Sequence, residues 1–333
     1  MPRPPRFWSH DGGTLWPRLL APLGAITAAV TARRVARPGW RAPVPVICCG
    51  NVTVGGAGKT TLALDLGRRL AARGRSVHFL LRGYGGSGRG VHRVAPGDSA
   101  EQVGDEALLL AAVAPTWTGA DRAASARAAI AAGADLLVLD DGLQNPGLQK
   151  DLSLLVVDGA AGFGNGLTLP AGPLREPVIA GAARCQAAVL IGDDHAGAAA
   201  ALPRHLPVLR AGLVPTQTVA ALAGRAVFAF AGIASPDKFF TTLRDAGVRL
   251  AGTARFADHH RFTERELRHL LEQAKRLGAK LATTPKDAVR LPAEMRDRVH
   301  VVGVELAWQD TASLEALLMR TLDGSSRLGD LHA

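Results

Sequence analysis

The sequence predicts an α/β protein, with a mainly parallel sheet covered by helices, a second, smaller α/β unit after it and a basic helix before it. Three observations carry that prediction. From Val44 onward, short apolar runs of strand length alternate with alanine-rich stretches of helix length, the pattern of strands joined by crossover helices. The first such strand leads through a glycine-rich turn into a helix. The 333 residues suffice for two compact units, each with its own core. A composition of 47% hydrophobic and 20% charged residues excludes a collagenous, coiled-coil or wholly disordered chain. Cys48, Cys49 and Cys185 make neither a disulfide framework nor a zinc spacing, as expected in a reducing, cytosolic setting.

Residues 1–42 concentrate positive charge, with seven arginines against Asp11 alone in a chain of formal net charge +10. Within them, Leu19 to Ala32 is an uncharged run of 14 residues flanked by arginines. That is short of the ~20 residues needed to span a bilayer, and no cleavage-site pattern marks a signal peptide. The expectation is a membrane-associated helix lying in or dipping into the interface, with Trp8 and Trp16 as anchors. Packing on the protein's own core is the competing expectation. Nucleic acid is not an expected partner, because no stacking aromatics interleave the basic cluster and no recognition motif accompanies it.

Residues 43–213 read as the larger unit. Val44 to Gly50 opens it as a strand, and Lys59 to Arg73, closed by Gly74, follows as a helix. Between them, Thr53-Val54-Gly55-Gly56-Ala57-Gly58-Lys59-Thr60 matches a phosphate loop except for Thr53 in the first glycine's place. Glycines let the backbone wrap phosphate oxygens and the helix aims its first amides at them. Lys59 adds a point charge and Thr60 a hydroxyl for Mg²⁺. This context makes the sheet P-loop NTPase-like. Further strands are expected at Val77–Leu81, Leu136–Leu139, Leu152–Val157 and Ala187–Ile191, with helices at Asp105–Ala114 and Asp121–Ala132. Asp140 and Asp141 end one of these strands, where ligands bind in open α/β sheets, and suit a metal or its water shell. Adjacent carboxylates point to different sides, so either one can face the metal.

Pro215 and polar neighbours break the alternation, giving a linker at 214–224. A second α/β unit is expected at 225–320. It opens with the strand Ala226–Ala231, then a helix with Ser235 as cap and Pro236 in its first position. A capping box, Thr263 to Glu266, starts a helix running to Gly278. Residues 321–333 read as a frayed tail.

Seven segments then occur in a telling order: Gly50 to Thr60, Arg82-Gly83-Tyr84-Gly85, Val103-Gly104-Asp105-Glu106, Asp140 to Gln144, Gly172 to Pro177, Asp258-His259-His260 and Thr283 to Leu291. The chain resembles the tetraacyldisaccharide 4'-kinase family of lipid A assembly. The resemblance implies phosphoryl transfer from ATP, with Mg²⁺, to the 4'-hydroxyl of a tetraacyldisaccharide 1-phosphate. That substrate is an anionic glycolipid held at the cytoplasmic face of the inner membrane. It also implies two α/β units joined by a short β linker; a monomer is expected.

A sugar hydroxyl has a pKa far above 7, so the transfer needs a group positioned to take its proton. By resemblance Asp105 is the catalytic aspartate and His259, beside Asp258, the histidine that works with it. Taken alone, they would read as a helix cap and a surface histidine. The resemblance likewise makes Arg175 a phosphate clamp and Glu176 a metal-side carboxylate. Arg82 and Arg122 read either as contacts to phosphate or the lipid head or as solvated loop residues, and Asn51 and Gln144 either orient nucleotide or water or bond their own turns. Thr53, Gly55, Gly56, Ala57, Gly58, Lys59 and Thr60 form the nucleotide loop. Ala57, Thr61 and Asn145 depart from the commoner Thr, Pro and His of the family, and Asn145 leaves that histidine's role without a bearer. A switch ATPase of the partitioning or metal-delivery type is the alternative, although Val54 stands where such proteins carry a lysine. A P-loop ligase would have no use for the N-terminal segment.

Overall fold

The computed structural model describes residues 5–9, 15–83, 86 and 90–329, with side chains described up to Asp323. Tyr84 and Gly85 of the Arg-Gly-Tyr-Gly motif, and 330–333 of the expected tail, lie outside the described residues. In chain order the strands are β1 (Val46–Gly50), β2 (Val77–Leu81), β3 (His92–Arg93), β4 (Thr116–Thr118), β5 (Leu136–Asp140), β6 (Leu152–Asp158), β7 (Ala187–Ile191), β8 (Val208–Pro215), β9 (Ala226–Ala231), β10 (Arg249–Arg255), β11 (Lys280–Thr283), β12 (His300–Val301) and β13 (Val304–Trp308).

Nine of them form one sheet in the order β13-β8-β7-β6-β1-β5-β2-β4-β3. The seven inner strands are parallel, and β13 and β3 close the two edges antiparallel. β1, β2, β5 and β7 are buried along their whole length, which is why they read as unbroken apolar runs. Alternate residues of β1 serve the two faces, Ile47 and Cys49 one core, Val46 and Cys48 the other. The helix Lys59–Ala71 covers the first face with Leu62, Leu66 and Leu70, spaced four apart on one side.

The second sheet, β10-β9-β11-β12, is parallel throughout. Phe239, Phe240 and Leu243 of the helix Pro236–Asp245 pack on one face, and Leu267, Leu270 and Ala274 of the helix Glu264–Arg276 on the other. The expected capping box is formed, with Thr263 and Glu266 each bonded to the other's backbone N–H. Ser235 stands at the cap position, but its side chain makes no capping bond.

The units are nested rather than consecutive. β13 pairs antiparallel with β8, and the helix Thr311–Gly329 buries Leu314, Leu318 and Leu322 in the larger unit's core. The second unit is therefore an insertion of about 217–303. Its two connections lie side by side, where the Thr216 amide donates to the Gly303 carbonyl at 3.0 Å. Residues 304–320, expected in the second unit, thus belong with the larger one, and the last helix runs on into the expected tail as far as Gly329, with Leu322 in the first core.

The N-terminal helix spans Trp16–Val35. Its inner side docks on the long loop after β6, where Thr168 Oγ1 donates to the Gly24 carbonyl at 2.6 Å and Thr31 Oγ1 to that of Arg175 at 3.2 Å. Its outer side shows Leu19, Leu23, Ile26 and Val30 at 50–67% exposure. Trp16 is exposed with them, whereas the Trp8 indole N–H is bonded to the Pro170 carbonyl at 3.1 Å. Among the described residues, no helix is long and apolar enough to cross a membrane.

Candidate functional site

β1 delivers the chain into the phosphate loop at the sheet's centre, between β5 and β6. Gly55 and Gly58 take φ of 109° and 90°, a region that a Cβ disfavours, so the loop turns sharply into the helix Lys59–Ala71 and leaves that helix's first amides open. The buried Lys59 ammonium donates to Asn51 Oδ1 at 3.1 Å and to the Gly55 carbonyl at 3.4 Å. Burial lowers its pKa, and the nearby Asp141, with Oδ1 at 3.9 Å, works against that shift. Asn51 also donates to Thr53 Oγ1 at 2.9 Å, so both residues brace the loop.

Asp140 comes off the end of β5, opposite Cys49 of β1. Its Oδ2 accepts from Thr60 Oγ1 at 2.7 Å, while its Oδ1 is buried without a partner. Burial pushes its pKa up to about 6, against the opposing pull of the Thr60 bond and the Lys59 charge. A hydroxyl and a carboxylate with an unmet buried oxygen are the hard donors a Mg²⁺ ion prefers. Asp141 turns the other way, at φ 59°, and receives the Arg175 guanidinium at 2.8 and 3.0 Å.

Arg175 binds Asp141 and, at 3.4 Å, Gln144 Oε1. Glu176 does not join Thr60 and Asp140: its Oε1 accepts from Gln144 Nε2 at 2.8 Å and Arg184 Nη2 at 2.7 Å. Because Gln144 also donates to the Asn51 carbonyl at 2.8 Å, Glu176 braces the loop from behind and neutralises Arg184. Arg122 is 3% exposed, bonded to the Gly119 carbonyl, with Nε buried and unpaired. Burial lowers its pKa to about 10, and Asp141 and Asp140 are near enough to oppose that shift. Arg82 is exposed. Asn145 Oδ1 accepts from the Gly147 amide at 2.9 Å and so shapes its own turn.

The second unit contributes the rest. His259 Nδ1 lies 2.7 Å from Asp105 Oδ2, and its Nε2 lies 3.8 Å from Asp258 Oδ2. His259 adopts φ 58°, a conformation costly for a side chain with a Cβ, and its amide is tied to the Gly232 carbonyl at 3.2 Å. Arg290, unassigned by the sequence reading, donates from Nε to the same Asp105 Oδ2 at 3.0 Å. Burial alone would raise the Asp105 pKa; the His259 hydrogen bond and the Arg290 charge outweigh it and hold the carboxyl below its usual range. Lys286 pairs with Glu106 at 2.9 Å beside them. Arg290 sits in the Thr283–Leu291 motif, but its partner is 185 positions away, and no local pattern gives such a pairing.

Residues 16–323 match the family model described as tetraacyldisaccharide-1-P 4'-kinase. The chain belongs to this family. It is 60% identical over 325 residues to the tetraacyldisaccharide 4'-kinase of Gluconacetobacter diazotrophicus, covering 97% of this chain and 99% of that one. To the tetraacyldisaccharide 4'-kinase of Rhodospirillum centenum it is 53% identical, covering 98% of each. The fold is similar to that of LpxK from Aquifex aeolicus, solved in complex with ATP, with a TM-score of 0.76 at 25% identity over 92% of this chain and 99% of that one. ATP-dependent 4'-phosphorylation in lipid A assembly is the activity that goes with the family, and it decides against the switch ATPase.

Proposed function

We propose that this chain transfers the γ-phosphate of ATP to the 4'-hydroxyl of a tetraacyldisaccharide 1-phosphate, with Asp105 taking the hydroxyl proton. The observation that carries this reading is the Asp105–His259 pair, 2.7 Å apart, in a chain whose phosphate loop presents Lys59 and Thr60. The loop amides and Lys59 bind the β- and γ-phosphates, and Arg175, bonded to Asp141, reaches them once nucleotide competes for that contact, while the buried Arg122 adds positive charge nearby. Thr60 and Asp140 would hold Mg²⁺, which supplies neutralisation of charge on the phosphate oxygens when bound. Asp105 keeps the acceptor oxygen nucleophilic at the moment it meets phosphorus, and His259 orients the carboxylate.

The exposed stripe Leu19, Leu23, Ile26 and Val30, flanked by arginines, supports seating on an anionic membrane surface. Such seating would put the enzyme, as a monomer, at the cytoplasmic face of the inner membrane with its glycolipid. The test is transfer of labelled γ-phosphate from ATP to a tetraacyldisaccharide 1-phosphate, with the product's new phosphate located. Phosphate at the 4'-position is expected. Hydrolysis of ATP that is indifferent to the lipid would overturn the reading.

A further inference from the structure

We propose that Arg290 is a positioning residue for proton removal: from the inserted unit it grips Oδ2 of Asp105 together with His259, leaving Oδ1 as the oxygen that receives the hydroxyl proton. This rests on the kinase reading above and adds to it which oxygen acts and what aims it. Both donors converge on Oδ2, at 2.7 and 3.0 Å. Oδ1 takes no hydrogen bond from any described residue, since both bonds to the carboxylate end on Oδ2. Proton transfer to Oδ1 breaks the substrate O–H bond. The freed oxygen pair makes the new bond to the γ-phosphorus, and the electrons of the broken β–γ bridge leave with ADP.

Arg290 is itself fixed. Its Nη1 donates to the Gly232 carbonyl at 3.1 Å, the His260 carbonyl at 3.3 Å and Asp287 Oδ1 at 3.3 Å. Asp287, fully buried, is held by the Gly232 amide at 2.9 Å and Thr284 Oγ1 at 2.6 Å. A planar fork anchored at one edge presents its Nε in one direction. The Arg290 and Asp105 side chains are both 5% exposed, so their attraction is poorly screened. Meanwhile Nη2 of Arg290 is buried with no acceptor among the described residues, so the guanidinium is held through Nη1 and Nε. The charged groups around Asp105 are His259, with Asp258 behind it, Arg290 with Asp287, and Lys286 with Glu106. Among the described residues, Arg290 and His259 are the ones that touch the carboxylate.

Arg290→Gln and Arg290→Lys separate this role from a simple staple between the units. In unliganded full-length protein, a ¹³C-carboxylate titration of Asp105 should move up by about one pH unit or more in R290Q, the size expected for loss of an adjacent positive charge. In R290K it should stay close to wild type. The acidic limb of kcat/KM against pH should follow the same order. R290K, which keeps charge but not the fork, should lose at least tenfold in kcat at unchanged KM for ATP. If R290Q does not fold, R290K carries the test by that kcat loss. An unmoved titration in folded R290Q, or full kcat in R290K, would overturn the proposal. Wild-type protein that fails to phosphorylate the lipid would instead overturn the kinase reading, and the titration reads Arg290 independently of it.

Discussion

Asp140 is buried with one oxygen unbonded, and its pKa stands near 6 against an ordinary 3.8. Between those values the folded chain holds a proton that the unfolded chain has released, so this group's contribution to stability falls as pH rises through that window and stays low above it. Asp140→Asn should therefore stabilise the ligand-free protein at pH 8, by something on the order of 3 kcal/mol from the shift of about two units. The gain should shrink toward pH 4.5, and phosphoryl transfer should be lost. Urea unfolding at the two pH values checks this; a variant less stable than wild type at pH 8 would sink it. For proton removal, Asp105→Asn and His259→Ala should each lower single-turnover rate by about 10² to 10⁴. The double variant should fall little further, because the two act as a unit, and ATP affinity should survive in all three. Strictly multiplicative losses would instead make Asp105 a helix cap and His259 an unrelated neighbour.

Among the elements, those buried on both faces were legible. β1, β5 and β7 declare themselves as uninterrupted apolar runs, and the phosphate loop follows from the first of them. β8, β10 and β13 did not, because each is partly exposed along its length and mixes polar with apolar residues in no clean alternation. β4 has three residues, too few for any period. The site divides similarly: Lys59, Thr60 and Asp140 lie within sequence motifs, whereas the positions of Glu176 and Arg290 depend on partners brought in by folding. The N-terminal helix was legible as an apolar run, but which residues point outward needed the docked side, where Gly24 and Thr31 face Thr168 and Arg175. Leu23→Glu with Ile26→Glu should lower partitioning onto anionic vesicles at least tenfold, since each leucine-sized side chain gains about 1.5–3 kcal/mol on full burial. Unfolding stability should change little because both positions are solvent-exposed. Sedimentation with vesicles tests this, and unchanged partitioning would mean that another surface seats the protein.

At the scale of the whole molecule, the larger unit is closed by the chain's last segment. β13 covers β8, and Trp308 Nε1 donates to Asp65 Oδ2, at 2.9 Å, on the helix that follows the phosphate loop. Glu315 pairs with Arg69 of that helix at 3.3 Å and with Arg73 in the turn just after it. Leu314 and Leu318 are fully buried and Leu322 nearly so. Three such side chains represent roughly 5–9 kcal/mol of burial, comparable to the whole stability of an ordinary domain. Removing residues 304–333 should therefore abolish ATP binding although no residue there is assigned to the nucleotide. The inserted sheet, whose strands β9 to β12 are intact, should keep its slowly exchanging amides. A milder probe is Leu318→Ala, which should cost about 2–5 kcal/mol and speed amide exchange in Lys59–Ala71 before it does so in β9. A consecutive arrangement with a boundary near 320 predicts the reverse: the deletion would unravel the second unit and spare ATP affinity. Hydrogen exchange and nucleotide binding on the deletion variant distinguish the two, and retained ATP binding with loss of protection in β9 and β11 would show the last helix to serve the inserted unit instead.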